Sequence, residues 1–143
     1  QELRGHWIPR LFLERLGSEF VERFVAQDSV AAAERLVERV RQGDALGFFP
    51  EGTFKRMTGL LPFRLGAFAA AVQAGAPIIP VALRGTRSIL RGDSFFPRRG
   101  SITVNFAAAM LPQPGAEAFA EALRLRDACR AVILTECGEP SAE

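Results

Sequence analysis

Nineteen consecutive residues without a charge, from Leu65 to Leu83, constrain this chain more than any other feature. A run of that length is long enough to cross a bilayer as a helix. Its interior argues against one, because Gln73, Gly75, Pro77 and Pro80 interrupt it. Ala74-Gly75-Ala76-Pro77 joins a helix stop to a step that favours extended backbone. The run therefore divides into an Ala-rich helix from Leu65 to about Ala74 and a buried strand from Pro77 to Leu83.

The rest of the chain continues that alternation. Trp7 to Leu16 predicts a short helix stopped by Gly17. Ser18 to Phe24 alternates in the manner of a strand, with Phe20, Glu22 and Phe24 on one face. Asp28 or Ser29 is placed to cap a helix whose apolar positions Val30, Ala33, Leu36, Val37 and Val40 share one side, up to a stop at Gly43. Ala45 to Phe49 predicts a short strand ending at Pro50, followed by a loop from Glu51 to Pro62. Ser101 to Phe106 predicts another strand, and Gly115 to about Thr135 a long closing helix. Strands alternating with helices predict one α/β domain over residues 1–143, a mostly parallel sheet flanked by helices and joined by right-handed crossovers.

The size and composition suit such a domain. With 143 residues, 48% of them hydrophobic, the chain can bury a core and is not of disordered composition. Cys129 and Cys137 lie eight residues apart on the predicted closing helix, about 12 Å at helical rise. That is too far for a disulfide, so they are expected to be free thiols in a reducing compartment. No signal peptide is expected at the start of the chain, since the first ten residues mix charges with Pro9; beginning with Gln1, the chain is expected to be processed or cut from something longer.

The net charge of +2 is small, but Lys55 is the sole lysine and all other basic residues are Arg. Five of these (Arg84, Arg87, Arg91, Arg98, Arg99) crowd the segment from Leu83 to Gly100 against a single acid, Asp93. The patch suits an anionic partner or is simply a solvated basic loop. Nucleic acid is disfavoured, because no stacking aromatics are interleaved with the arginines. The single histidine, the scattered acids and the lack of a phosphate-loop or dinucleotide fingerprint disfavour metal-dependent and nucleotide-dependent chemistry.

In an open α/β sheet, ligands collect at the carboxyl ends of strands. The candidate is Phe48-Phe49-Pro50-Glu51-Gly52-Thr53-Phe54. There Gly52 lets backbone N–H groups approach a ligand and Thr53 adds a hydroxyl, a combination suited to phosphate oxygens. An ordinary strand-to-loop turn would read the same way.

Phe49-Pro50-Glu51-Gly52-Thr53 resembles the third signature block of the 1-acylglycerol-3-phosphate acyltransferases, the glycerolipid acyltransferase family. Gly17-Ser18-Glu19-Phe20-Val21-Glu22-Arg23 is similar to the second block. Pro62-Phe63-Arg64-Leu65-Gly66-Ala67-Phe68 resembles the segment after the third, where a basic residue faces the substrate phosphate. Ala76-Pro77-Ile78-Ile79-Pro80-Val81-Ala82 resembles the fourth. The four pieces stand in the family's order over residues 17–82.

The resemblance implies transfer of a fatty acyl group from acyl-CoA or acyl carrier protein, with no further cofactor and no metal, to a hydroxyl of lysophosphatidic acid or a related lysophospholipid. It implies a phosphate clamp of Arg23, Gly52, Thr53 and Arg64, with Glu51 orienting an arginine or holding the turn. It also implies work at the cytoplasmic face of a membrane, reached through the basic segment and Phe95-Phe96. An apolar channel for the acyl chain would draw on Phe48, Phe63, Phe68, Ile78 and Ile79, which suit a plain core equally well.

Two positions depart from the family pattern. Position 54 is Phe where much of the family has Arg, leaving Lys55 or Arg56 to substitute. The first block, a His and an Asp separated by four residues, is absent: the sole histidine is His6, and Leu11 stands where the Asp would be. The catalytic pair is therefore expected before Gln1, in an N-terminally truncated domain. The alternative is a non-catalytic phospholipid-binding or regulatory module that uses the same clamp.

Overall fold

The computed structural model describes residues 26–53, 57–90 and 96–142, with side chains of the first helix from residue 33 onward. Two compact units divide the chain, Gln1–Leu36 and Val37–Glu143. The expected helix at Trp7 to Leu16 and strand at Ser18 to Phe24 lie outside the described residues.

Helix α1 (Ala26–Arg41) starts earlier than expected, so Asp28 and Ser29 belong to its first turn rather than to its cap. Its end follows the sequence. Gly43 donates to the Val40 carbonyl and Asp44 to that of Arg39, both at 3.0 Å. Helix α2 (Gly66–Ala74) closes in the same way, with Gly75 donating to Val72 and Ala76 to Ala71. This pair of bonds satisfies the last carbonyls only if the chain turns left-handed, which Gly75 does at φ 66°. The uncharged run is thereby cut into a nine-residue helix and an extended segment. Among the described residues, no helix is long and apolar enough to cross a membrane.

Strand β1 (Val81–Arg84) pairs with β2 (Thr103–Phe106) in antiparallel register, Val81 opposite Phe106 and Arg84 opposite Thr103. Below β1 the pairing resumes one residue out of step, with Ile78 and Met110 exchanging bonds of 2.8 and 2.9 Å while Ala107 donates to Pro80. One extra residue on the second strand makes this a bulge beside Pro80, which has no N–H to give the ladder.

The mostly parallel sheet expected from the alternation is corrected here: the sheet of the described residues is two-stranded and antiparallel. The reason lies in the connection. Among the described residues, a single turn of helix, α3 (Thr86–Ile89), stands between the strands, and Arg98 donates back to the Ile89 carbonyl at 2.7 Å. The chain thus re-enters the sheet at the end where it left. A parallel neighbour requires a crossover to the opposite end. The strand expected at Ala45 to Phe49 is also absent; Phe48 and Phe49 are exposed, and no sheet of the described residues covers them.

Helix α4 (Ala118–Cys137) packs across α2 and β1. Ala122, Leu125 and Cys129 lie on one face of it and meet Leu60, Phe63 and Phe68 in the core, where the two phenylalanine rings stack at 6.3 Å. Ala82 of β1 is buried, and Asn105 of β2 donates to Glu136 of α4. The opposite face of the sheet leaves Leu83, Val104 and Phe106 exposed.

Candidate phosphate-recognition site

The candidate site is built on one tight turn. Gly52 donates to the Phe49 carbonyl at 3.0 Å, closing a four-residue turn with Pro50 second and Gly52 last. These are the positions that a type I turn favours for proline and glycine. Gly52 adopts φ +65°. A Cβ there would lie 2.7 Å from both Cδ and Nε of Arg64. The arm of Arg64 is therefore laid over the bare backbone of Gly52, where any other residue would put a side chain.

Two bonds bring Arg64 back to the turn from the far end of the loop. The Arg64 N–H donates to the Pro50 carbonyl at 2.8 Å, and the Leu61 N–H donates to Oε2 of Glu51 at 3.0 Å. Glu51 therefore spans the loop from its first limb to its last. Thr53 and Arg64 are both exposed. The structure thus joins Glu51, Gly52 and Arg64, with Thr53 next in the chain. Arg23, Phe54, Lys55 and Arg56 lie outside the described residues.

The apolar residues expected to serve either a channel or the core divide. Phe63 and Phe68 are buried and Ile78 packs against them, whereas Phe48 and Ile79 are about half exposed. The basic segment divides as well. The Arg84 side chain lies against Gly138 at the end of α4, and Arg87 Nε donates to Oε1 of Glu139 at 2.9 Å. Arg98 and Arg99 are exposed, and Arg91 lies outside the described residues.

Sequence reasoning missed one set of residues here. Arg130 of α4 donates from Nε to the Leu61 carbonyl at 3.1 Å, and from its terminal nitrogen to the Leu60 carbonyl at 2.8 Å and to Ser141 Oγ at 2.9 Å. Beside it, residues 139–142 run parallel to the 59–61 limb: Leu60 donates to Pro140, Ala142 donates to Leu60, and Gly59 donates to Oε2 of Glu139. Nothing local marks these contacts, because their partners are some seventy residues apart for Arg130 and eighty for the 139–142 limb.

The sequence model of the Acyltransferase family matches residues 1–84, more than half of the chain and the part that holds the turn and Arg64. The chain belongs to the acyltransferase family. This acyltransferase-family chain is 38% identical over 85 residues to the 1-acyl-sn-glycerol-3-phosphate acyltransferase of Haemophilus influenzae, covering 57% of the chain and 35% of that protein. It is 35% identical over 78 residues to a chloroplastic 1-acyl-sn-glycerol-3-phosphate acyltransferase of Brassica napus, covering 54% of the chain and 23% of the relative. The similarity to human 1-acyl-sn-glycerol-3-phosphate acyltransferase beta, 34%, extends over 120 residues, 83% of the chain and 42% of the human protein. The chain thus spans less than half the length of these relatives. No solved structure matches it.

Proposed function

We propose that this chain carries the phosphate-recognising part of a 1-acylglycerol-3-phosphate acyltransferase. The observation that carries the reading is the arm of Arg64 laid across Gly52 beside the exposed Thr53. A guanidinium is a planar fork of donors that stays charged at any physiological pH, and its charge-assisted bonds to phosphate oxygens are stronger than neutral ones. The Glu51 carboxylate would repel a phosphate, and its bond to the Leu61 N–H directs it to the loop instead. Arg23 is the second proposed cation, with Thr53 and the Gly52 backbone completing the clamp.

The proposed reaction is attack of the acceptor hydroxyl on the thioester carbonyl of acyl-CoA or acyl carrier protein. Oxygen bonds to the acyl carbon, the carbon–sulfur bond breaks, and the hydroxyl proton passes through a base to the departing thiol. A positioned general base contributes roughly 10²- to 10⁴-fold to such a step. The sole histidine, His6, has Leu11 in place of the orienting Asp, so these 143 residues by themselves are proposed to bind the acceptor without turning it over. The place of work is proposed to be the cytoplasmic face of a membrane.

Titration calorimetry with a short-chain 1-acylglycerol 3-phosphate and with the matching monoacylglycerol tests the reading. The phosphate form should bind at least tenfold more tightly, and Arg64→Ala should abolish that preference. Added long-chain acyl-CoA should give no ester product. Equal binding of the two lipids, or an Arg64→Ala chain that still prefers the phosphate, would overturn the clamp.

A further inference from the structure

We infer that Arg130 of α4 is a positioning residue for phosphate recognition, acting through the 59–61 limb on Glu51 and Arg64. The inference rests on the clamp proposed above. Arg64 and Gly52 lie at opposite ends of a loop, and their approach depends on where the returning limb is held. The limb is held from both sides. Inward, Leu61 donates to Glu51. Outward, the carbonyls of Leu60 and Leu61 both accept from Arg130.

One residue thus presents its N–H group to the turn and its carbonyl to the arginine. The guanidinium also reaches Ser141 Oγ, which fastens the 139–142 tail against the same limb, while Glu139 takes the Gly59 N–H on one oxygen and Arg87 on the other. Arg64 follows the limb by three residues. A shift of Leu61 therefore moves both the Glu51 brace and the root of the Arg64 arm.

The chemistry needs this side chain rather than its charge alone. Nε and a terminal nitrogen donate in the plane of the guanidinium to adjacent carbonyls, a geometry that the single ammonium of lysine does not reproduce. Arg130→Lys therefore preserves net charge and removes the fork. In a direct electrostatic role, lysine would serve nearly as well.

The test uses the full 143-residue chain with a short-chain 1-acylglycerol 3-phosphate as probe. Arg130→Lys should weaken binding at least fivefold and speed exchange of the Leu61 amide hydrogen. Amides of α2 should keep their protection, and binding is read well below the thermal midpoint. Glu139→Gln, which leaves Arg130 in place, should weaken binding two- to threefold and decides the matter if Arg130→Lys does not fold. Unchanged affinity in the folded variants, with only the melting temperature lowered, would reduce Arg130 to a structural role and overturn the inference. In that case Arg64→Ala still abolishes the phosphate preference. If the parent chain shows no such preference, the clamp fails and the positioning role fails with it.

Discussion

Gly52 has three requirements at once: the closing position of a turn, a left-handed φ, and room for the arm of Arg64. Sequence inspection reaches a turn, since Glu51-Gly52-Thr53 follows Pro50 at the end of an apolar run; the left-handed φ is read from the structure. The third depends on Arg64, which arrives from the far end of the loop. Gly52→Ala should cost about 1–2 kcal/mol in stability from the left-handed backbone alone. Its methyl group would also meet Cδ and Nε of Arg64. That arm is flexible, so it is displaced and the fold survives. The expected result is a melting temperature lower by a few degrees together with loss of most of the preference for a phosphate-bearing lipid. A Gly52→Ala chain with parental affinity would show that the arm does not need this place.

At the scale of the element, α4 shows how a charged residue enters an apolar face without disrupting it. Glu117 caps the helix by accepting from the N–H groups of Phe119 and Ala120. Glu121, one turn on, is buried beside Ala122 and Leu125. Its carboxylate accepts from Arg124 and from the Gln113 N–H, which together hold its pKa from the ordinary 4.5 down to about 2.

Because the folded value lies below the unfolded one, Glu121 contributes its full stabilisation above pH 4.5 and loses it as the pH falls toward about 2. Glu121→Gln should therefore be less stable than the parent at neutral pH, with the gap closing on acidification through that window. Urea midpoints measured across it check this; a gap independent of pH would mean that the ion pair carries none of the acid sensitivity. On the same helix, burial raises the Cys129 thiol to about 11.

For the molecule as a whole, the basic segment is more divided than its composition suggests. Arg84 and Arg87 are engaged at the end of α4, where positive charge meets the negative pole of the helix. Arg98 and Arg99 remain exposed beside Phe96, which is also exposed. If the chain works at an anionic lipid surface, these residues carry the attraction. Binding to vesicles containing anionic lipid should weaken as salt rises, and the Arg98→Gln/Arg99→Gln double variant should lower it on the order of tenfold. Binding unaffected by salt and by the double variant would remove this segment from membrane attachment.

What the sequence determined by itself was local. The stops at Gly43 and Gly75, the split of the uncharged run, the closing helix and the turn at Pro50 to Gly52 each rest on residues within a few positions of one another, where backbone sterics and capping bonds act. The kinship was legible for a related reason: the four motifs keep their order in the chain whatever they pack against. Only the tertiary structure decided the direction of β2, because the alternation of elements is the same for a parallel and an antiparallel return, and a bond from Arg98 to Ile89 folds the connection back. It likewise separated Phe63 and Phe68, which are buried, from Phe48 and Ile79, which are not, although all four are equally apolar. The placing of Arg130 and Glu139 behind the turn belongs to the same class, since contacts across some seventy to eighty residues arise when α4 packs on α2 and leave no periodicity in the chain to announce them.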